Sequence, residues 1–326
     1  NIQNSGIEIA LNTTPIKKKQ WQWDLNFTYT RNRNKIVELS PDVTSYINLD
    51  GAANYGNYRI ASVAKVGSDY GMLMSDSWIK TDEKTGKPVV GYTNKFRTVY
   101  YKRGGTVKEV GSMLPNFLGS LNSTLRWKDL SLYVLFDARF GGYVASYNSR
   151  YATAYGFSGE TEKYRKGMTW TSKYANAQDK VFTDGFIPDV VFDAGTIVTT
   201  PGGTNQDVSG MTYQEAYEKG YVEPAHLQSA AYFKNSWGTG VINDDWFKKI
   251  NYIALREITL SYNVPTKISS YIGAKNLSLS FTGRNLAYLL NTAPNHENPE
   301  SVRGTGAAQF RMRSFMPYTR SEERRV

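Results

Sequence analysis

Polar and apolar residues alternate with a period of two along several long stretches of this chain. The most regular stretch is residues 21–30, where Trp21, Trp23, Leu25, Phe27 and Tyr29 alternate with Gln22, Asp24, Asn26, Thr28 and Thr30. Successive residues of a strand point to opposite faces, so this stretch predicts a strand with one apolar and one polar face. The same pattern recurs at residues 7–11, 117–127, 130–139, 246–265 and 276–288.

The length of these stretches indicates what kind of sheet they form. Strands of soluble sandwiches are usually shorter, whereas a tilted strand that crosses a membrane needs about 9–11 residues. A weaker pair of strands at residues 58–66 and 70–81, and a final strand from Met316, bring the expected total to about seven to nine. The predicted fold is all-β, a transmembrane antiparallel β-barrel.

The connections between the predicted strands fall into two classes. Short polar turns are expected at residues 13–20, 128–129 and 266–275. Long loops are expected at about residues 40–112, 141–244 and 291–315, with one short helix at residues 211–219. Short periplasmic turns and long external loops are typical of outer-membrane barrels, so the long loops are predicted to be extracellular.

The composition agrees with this interpretation and excludes several others. Aromatic residues make up 14% of the chain, led by 24 Tyr, as interfacial girdles would require. A Tyr-rich soluble β-sandwich would have a similar composition. No stretch approaches the 18 consecutive apolar residues of a membrane-spanning helix. The absence of Cys excludes disulfides and thiolate sites.

The net charge of +10 raises the question of nucleic acid as a partner. The basic residues are dispersed apart from residues 17–19 and the last few arginines, and no nucleic-acid-binding motif is present. We therefore expect no nucleic-acid partner. Lumenal arginines and contacts with anionic lipid of the outer leaflet would account for the charge.

The sequence gives no indication of catalysis, a cofactor or a metal. His226 and His296 lack ligands at metal-binding spacing, and His296 with Glu297 and Glu300 is interpreted as a solvated loop cluster. No nucleophile motif is present, so an enzyme is not expected.

The remaining candidates for ligand or partner contact are aromatic side chains of the longest loop. They are Tyr164, Trp170, Tyr174, Tyr213, Tyr217 and Trp237, with Tyr221 beside them. Aromatic rings stack on sugars and on peptide side chains. For any one of them, packing within the loop is the more ordinary role.

Five segments resemble one family of transporters. They are LREITLSYNVP at 255–265, GRNLAYLLNTAPNHENPE at 283–300, and the segments at 4–17, 30–39 and 114–142. Taken in chain order, they resemble the C-terminal part of SusC/RagA-type TonB-dependent transporters of the Bacteroidetes outer membrane. The chain departs from the family at its end, because residues 322–326, EERRV, are too charged to form a closing membrane strand.

The resemblance implies a location and a function. A member would have a barrel of about 22 strands in the cell outer membrane, with residues 1–321 forming its C-terminal part. An N-terminal plug and the segment that couples to the TonB complex are expected to lie outside this sequence. A SusD-like lipoprotein would cover the external mouth, and an oligosaccharide or oligopeptide would be imported. The alternatives are a passive porin or adhesin barrel and a soluble β-sandwich that binds glycan. We expect this chain alone not to form a closed pore.

Overall fold

The computed structural model describes residues 1–49, 60–154, 157, 159, 167–225, 242–243, 247–294, 297–303 and 311–312. The strands in these ranges are β1 (Ile2–Lys18), β2 (Trp21–Ile36), β3 (Tyr46–Asn48), β4 (Ile60–Lys65), β5 (Met72–Ser75), β6 (Val89–Thr93), β7 (Thr98–Tyr101), β8 (Lys108–Ser112), β9 (Phe117–Trp127), β10 (Leu130–Ser146), β11 (Met168–Thr171), β12 (Val181–Gly185), β13 (Val191–Phe192), β14 (Ile197–Thr199), β15 (Asn205–Asp207), β16 (Phe247–Val264), β17 (Leu277–Asn291), β18 (Val302–Arg303) and β19 (Arg311–Met312). The helices are α1 (Tyr147–Ala154), α2 (Tyr213–Glu218) and α3 (Thr266–Ser269), with 3-10 turns at Ala175–Ala177 and Ser270–Ile272. Among the described residues, no helix has both the length and the apolar character that a membrane crossing requires.

One large sheet organises the molecule, which is all-β as predicted. Its order is β1-β2-β9-β10-β16-β17, and every neighbouring pair on this path is antiparallel. The short strand β19 pairs in parallel with the end of β10, and β18 pairs with β19 in antiparallel orientation. The part of the sheet that is described is open, with β1 and β17 at its edges. Closure into a barrel therefore stays a proposal.

Short and long connections alternate around this sheet, as the sequence predicts. The β9–β10 hairpin closes through Lys128 and Asp129, with Lys128 in the left-handed region at φ 52°. The β1–β2 and β16–β17 turns lie at the same end because all neighbouring strands are antiparallel. The long connections leave from the opposite end.

Two predicted boundaries were wrong. The turn predicted at 13–20 is limited to Lys19 and Gln20, because β1 continues to Lys18. The β1–β2 register shifts between Thr13 and Ile16, where Pro15 lies. A Pro is tolerated in an edge strand at such an irregularity since it cannot donate a ladder hydrogen bond. The long loop predicted from residue 141 begins later, because β10 continues to Ser146.

The weaker pair of predicted strands is present but does not belong to the large sheet. Strands β4 and β5 pair with each other inside a separate four-stranded sheet, β3-β4-β5-β8. The final strand expected from Met316 and the tail at 322–326 lie outside the described residues.

The two longest connections fold together into one small subdomain, which we call the cap (residues 89–101 and 186–225). Strand β13 of the later connection lies parallel to β6 of the earlier one, with Val191 opposite Val89. Their shared core consists of Val90, Val99, Phe186, Val190, Phe192, Val198, Val208, Tyr213, Ala216, Val222 and Ala225. An ion pair between Lys80 and Asp193, at 2.8 Å, also joins the two connections.

A second core attaches the four-stranded sheet to the ends of the long strands. Its buried members are Ile60, Leu73, Met113, Ala145, Tyr147 and Phe247. Ala145 belongs to β10 and Phe247 to β16, so this cluster joins the connections to the large sheet.

Candidate functional site

The strand register collects the apolar residues of the large sheet on one face. Phe27 lies opposite Leu121, which lies opposite Phe136, which lies opposite Leu255. Five such rows cross the sheet. We call this face the apolar band: Ile9, Leu11, Trp21, Trp23, Leu25, Phe27, Tyr29, Leu121, Leu125, Trp127, Leu130, Leu132, Val134, Phe136, Ala138, Ile253, Leu255, Ile258, Leu260, Tyr262, Leu279 and Phe281.

Many large side chains of the apolar band are exposed. Phe281 is 80% exposed, Leu279 59% and Leu11 55%. Burying apolar surface stabilises a protein by about 25 cal/mol per Å². If this face were in water, its exposed side chains would contribute little of that free energy to folding. Contiguous exposed apolar surface of more than a few hundred Å² is a mark of contact with protein or membrane.

Aromatic rings bound the apolar band at both ends. At the short-turn end, Trp21 and Trp127 stack with their centroids 5.7 Å apart. At the other end, Tyr29 stacks on Phe117 at 5.3 Å, and Phe117 stacks on Phe140 at 4.8 Å. From Trp21 to Tyr29 the strand rises about 27 Å, which a tilt of about 40° shortens to about 21 Å. This is close to the spacing between the aromatic girdles of a membrane barrel, which flank an apolar band about 25 Å tall.

The opposite face of the sheet, which we call the polar wall, carries polar side chains. They form hydrogen bonds to side chains of the neighbouring strands. Thr28 bonds Ser120 at 2.6 Å and Ser261 bonds Ser280 at 2.9 Å. Further pairs on this face include Asn26 with Asn12, Arg126 with Asp24, Thr259 with Thr282 and Arg284 with Glu257. A sheet with one apolar and one hydrogen-bonded polar face, neither covered by a second sheet among the described residues, suits a boundary between lipid and water.

A bulge in β16 places an extra cation on the polar wall. Leu135 lies opposite Glu257 whereas Phe136 lies opposite Leu255, so Arg256 is the additional residue. In a β-bulge, two residues of one strand lie opposite a single residue of the partner strand, and this changes the direction in which a side chain points. Both Arg256 and Glu257 consequently bond to polar partners, Asp137 and Arg284 respectively.

Arg256 fixes a loop segment to the polar wall. Its two terminal nitrogens donate to the two carboxylate oxygens of Glu300 at 2.7 and 2.8 Å, and Nη2 also donates to Asp137 at 2.7 Å. The hydroxyl of Tyr288 donates to Glu300 at 2.6 Å. Burial alone would raise the pKa of Glu300, but the hydrogen bonds from Arg256 and Tyr288 hold it below its ordinary value.

Glu297 and Glu300 were predicted to belong to a solvated loop cluster. The side chain of Glu300 is 40% exposed, and both residues also make specific polar contacts. Glu300 bonds to two strands, and Glu297 accepts a hydrogen bond of 3.2 Å from Asn148. Their predicted partner His296 lies outside the described residues. Within the described ranges, no group of three or more His, Asp or Glu side chains is placed to hold a metal ion.

Four of the six aromatic candidates lie in or beside the cap, and the structure gives each a packing role. Tyr213 is 1% exposed, stacks on Phe192 at 5.5 Å and donates to the carbonyl oxygen of Glu223 at 2.8 Å. Burial raises the pKa of the Tyr213 phenol. Tyr174 is buried and donates to the carbonyl of Thr199 at 3.1 Å.

The other two described candidates are half-buried. Trp170 stacks on Phe182 at 4.9 Å and donates to the Glu223 carboxylate at 3.2 Å. Tyr217 packs against the cap core. Tyr164 and Trp237 lie outside the described residues. The contact role of all six stays a prediction, and the half-buried rings are the better placed for it.

The cap also exposes an aromatic side chain that sequence reasoning missed. Phe96, in the hairpin between β6 and β7, is 66% exposed. The ammonium of Lys95 lies 5.4 Å from its ring centroid. An aromatic residue at a hairpin tip, between two basic residues in NKFR, is the only sequence signal of this position.

Comparison with known proteins agrees with the architecture. No protein-family model and no curated protein matches the sequence. Two solved structures, "Structure of the RagAB peptide importer in the 'open-open' state" and "Structure of the RagAB peptide transporter", contain similar chains, with TM-scores of 0.52 and 0.51 and identities of 13% and 14%. The alignments cover 95% of this chain and 27% and 28% of those chains. At this identity the likeness shows the fold: the described sheet and its connections are arranged as in part of a RagAB importer chain.

Proposed function

We propose that this chain forms part of the wall of a TonB-dependent outer-membrane importer, a transmembrane β-barrel with no catalytic step of its own. The six long strands of the sheet cross the outer membrane, with the apolar band against lipid and the polar wall towards the lumen. The short turns face the periplasm, and the cap faces the cell exterior.

The observation that carries this proposal is the apolar band between its two aromatic boundaries. A soluble sandwich would bury such a face under a second sheet, with the two sheets about 10 Å apart. Here several large rings of the face, among them Phe281, Trp21 and Trp127, are exposed. A lipid environment makes this exposure favourable, and the aromatic ends match the two interfaces of a bilayer.

The similarity to the RagAB structures supports a proposal for the cargo and the partners. The similar structures are of a peptide importer, which favours an oligopeptide over an oligosaccharide as cargo. A SusD-like lipoprotein would dock on the cap side, and the TonB complex would act through parts of the transporter outside this chain. A passive porin or adhesin would have the same wall. Uptake that stops when the inner-membrane energy source is removed would separate the importer from a passive pore.

The lipid-facing assignment can be tested residue by residue. This chain contains no Cys, so a Cys introduced here is the only one within residues 1–326, and any Cys elsewhere in the full-length gene product is replaced by Ser before spin-labelling. Labels at residues 277–283 in outer-membrane vesicles should show oxygen accessibility that peaks at odd residues and accessibility to a water-soluble nickel complex that peaks at even ones. Ser280 and Phe281 form the matched pair. Equal access of the nickel complex at both would exclude the membrane wall.

A further inference from the structure

The β16–β17 turn exposes an apolar surface outside the apolar band. Helix α3 and the 3-10 turn after it form one continuous helical segment that ends at Gly273, φ 73°. Ile268, Tyr271 and Ile272 are 57%, 90% and 70% exposed. Their spacing of three and four residues places them on one side of the segment. Ser269 is fully buried on the other side, so the exposed side is distinct from the one that packs on the protein.

This surface continues from the apolar band. Val264 and Leu277, the strand residues that flank the turn, lie opposite each other. They share the face of Tyr262 and Leu279, which form the next row of the band and are 40% and 59% exposed. The helical segment therefore lies just beyond the row that contains Trp21 and Trp127, on the side away from the middle of the band.

The same end of the sheet carries an excess of positive charge. The three short turns with their flanking residues, at 17–21, 127–130 and 265–276, contain six lysines and one acidic residue, Asp129. The lysines are Lys17, Lys18, Lys19, Lys128, Lys267 and Lys275, and all are exposed. They are spread over three separate turns along the sheet instead of forming one compact patch. A flat, negatively charged surface facing this end of the sheet would attract all of them.

We propose that the segment 266–272 is an interfacial anchor that inserts Ile268, Tyr271 and Ile272 among anionic phospholipids of the periplasmic leaflet. Lys267 and Lys275 bind the phosphate groups beside it, and the lysines of the other two turns attract the same leaflet from the water outside the headgroup layer. This inference rests on the proposed membrane wall. The sequence analysis predicts contacts between basic residues and anionic lipid of the outer leaflet. For these six lysines we propose instead that the anionic lipid is that of the inner leaflet. Each lysine at an anionic surface contributes to attraction, and amphipathic helical segments lie in the headgroup layer.

Fluorescence from a single environment-sensitive label tests the anchor. Tyr271→Cys is labelled in the full-length protein, reconstituted in phosphatidylcholine vesicles with and without phosphatidylglycerol. Gln20→Cys, in another short turn, is the matched control, while Leu279→Cys and Ser280→Cys report on the wall itself. We expect nitroxide on lipid headgroups to quench the label at 271 and leave the label at 20 largely accessible to iodide. Nitroxide in the acyl chains should quench the label at 279.

The outcomes separate the anchor from the proposed function. If the label at 271 behaves like the label at 20 while 279 is quenched by lipid and 280 by iodide, the anchor is wrong and the wall stands. A label at 271 shielded from both lipid and iodide would mean a protein occupant and would also overturn the anchor. Equal quenching of 279 and 280 by iodide would overturn the wall.

The charge contribution has its own test. Nitroxide carried by phosphatidylglycerol should quench the label at 271 more than nitroxide carried by phosphatidylcholine. Lys267→Gln and Lys275→Gln should each reduce this preference, by up to about fivefold. Lys84→Gln, an exposed lysine in a turn of a long connection, should leave it unchanged. An unchanged preference in both turn variants would overturn the role of the lysines.

Discussion

Arg256 holds the carboxylate of Glu300 in two nearly equal hydrogen bonds, at 2.7 and 2.8 Å, across the boundary between strand and loop. The side chain of Arg256 is 21% exposed and that of Glu300 is 40% exposed, so the pair is partly screened by water. Its geometry is nevertheless the bidentate one that gives Arg–carboxylate pairs their strength. The pair is a polar link between residues 297–303 and the polar wall.

Glu300→Gln should loosen this segment without unfolding the sheet. An amide cannot replace the charged acceptor, and we expect a loss of about 1–2 kcal/mol in the local opening free energy. Hydrogen exchange of the amides at residues 297–303 measures it. Arg256→Lys, which keeps the charge but loses the fork, should have an intermediate effect. Unchanged exchange in both variants would mean that the pair contributes nothing to local stability.

The Arg256–Glu300 pair should make the local stability of residues 297–303 depend on pH, and the pKa of Glu300 fixes the direction of the change. The pKa of Glu300 in the folded protein is lowered from 4.5, so the carboxylate contributes its full stabilisation above that pH. The stabilisation is lost as the pH falls through the folded-state pKa, which lies below 4.5. Protection of residues 297–303 should therefore be flat at neutral pH and fall only in acid. In Glu300→Gln this acid step should disappear, and a step that persisted would belong to another group.

The sequence contains a signal of the bulge that produces this pair. Apolar residues occupy odd positions at Ile253 and Leu255 but even positions at Ile258 and Leu260. The phase of the alternation therefore changes at Arg256 and Glu257. A change of phase within one strand is what an extra, unpaired residue requires. The faces of β2, of β9 and of residues 130–139 in β10 could be predicted without such a correction because their alternation is uninterrupted.

The cap could not be predicted in the same way. Its core depends on contacts between residues about 100 positions apart, such as Val89 with Val191, made by a strand of two residues. A two-residue strand has no periodicity, and the stretch therefore reads as loop. This is why Tyr213 was grouped with surface aromatics although it is buried. The helix that begins with Tyr213 was predicted from the sequence, and the structure shows that a capping box of Thr212 and Glu215 starts it.

Leu25→Arg and Asn26→Arg should differ strongly although the positions are adjacent. Leu25 lies in the middle row of the apolar band, and Asn26 bonds to Asn12 on the polar wall. An arginine at mid-membrane costs about 2–4 kcal/mol on the lipid face, whereas lumenal substitutions are tolerated. Heat-modifiable migration of the full-length protein on gels reports on assembly. Similar migration of both variants would contradict the orientation of β2.

Phe192→Ala should open both long connections at once. Phe192 is 1% exposed in the shared core, and removing a buried Phe costs about 3–5 kcal/mol. Protease applied to intact cells should then cut near residues 89–101 as well as at 186–225. Ile197→Ala is the control, because Ile197 is 44% exposed in the same subdomain. Cleavage confined to the later connection would show that the two connections do not fold as one unit.

Phe96→Ala should separate recognition from packing in the cap. The ring is 66% exposed, so its removal should change cap stability by less than about 0.5 kcal/mol. If the cap contacts cargo or a lipoprotein partner, an exposed aromatic side chain is the type that contributes most to such contacts, and affinity should fall about tenfold. Tyr213→Ala should show the converse, with a cap that protease cuts readily.

Both variants are compared by protease resistance on intact cells and by binding of a SusD-like partner to the purified protein. Unchanged binding by a stable Phe96→Ala variant would place the contact surface elsewhere on the cap, with Trp170 and Tyr217 as the next positions to substitute.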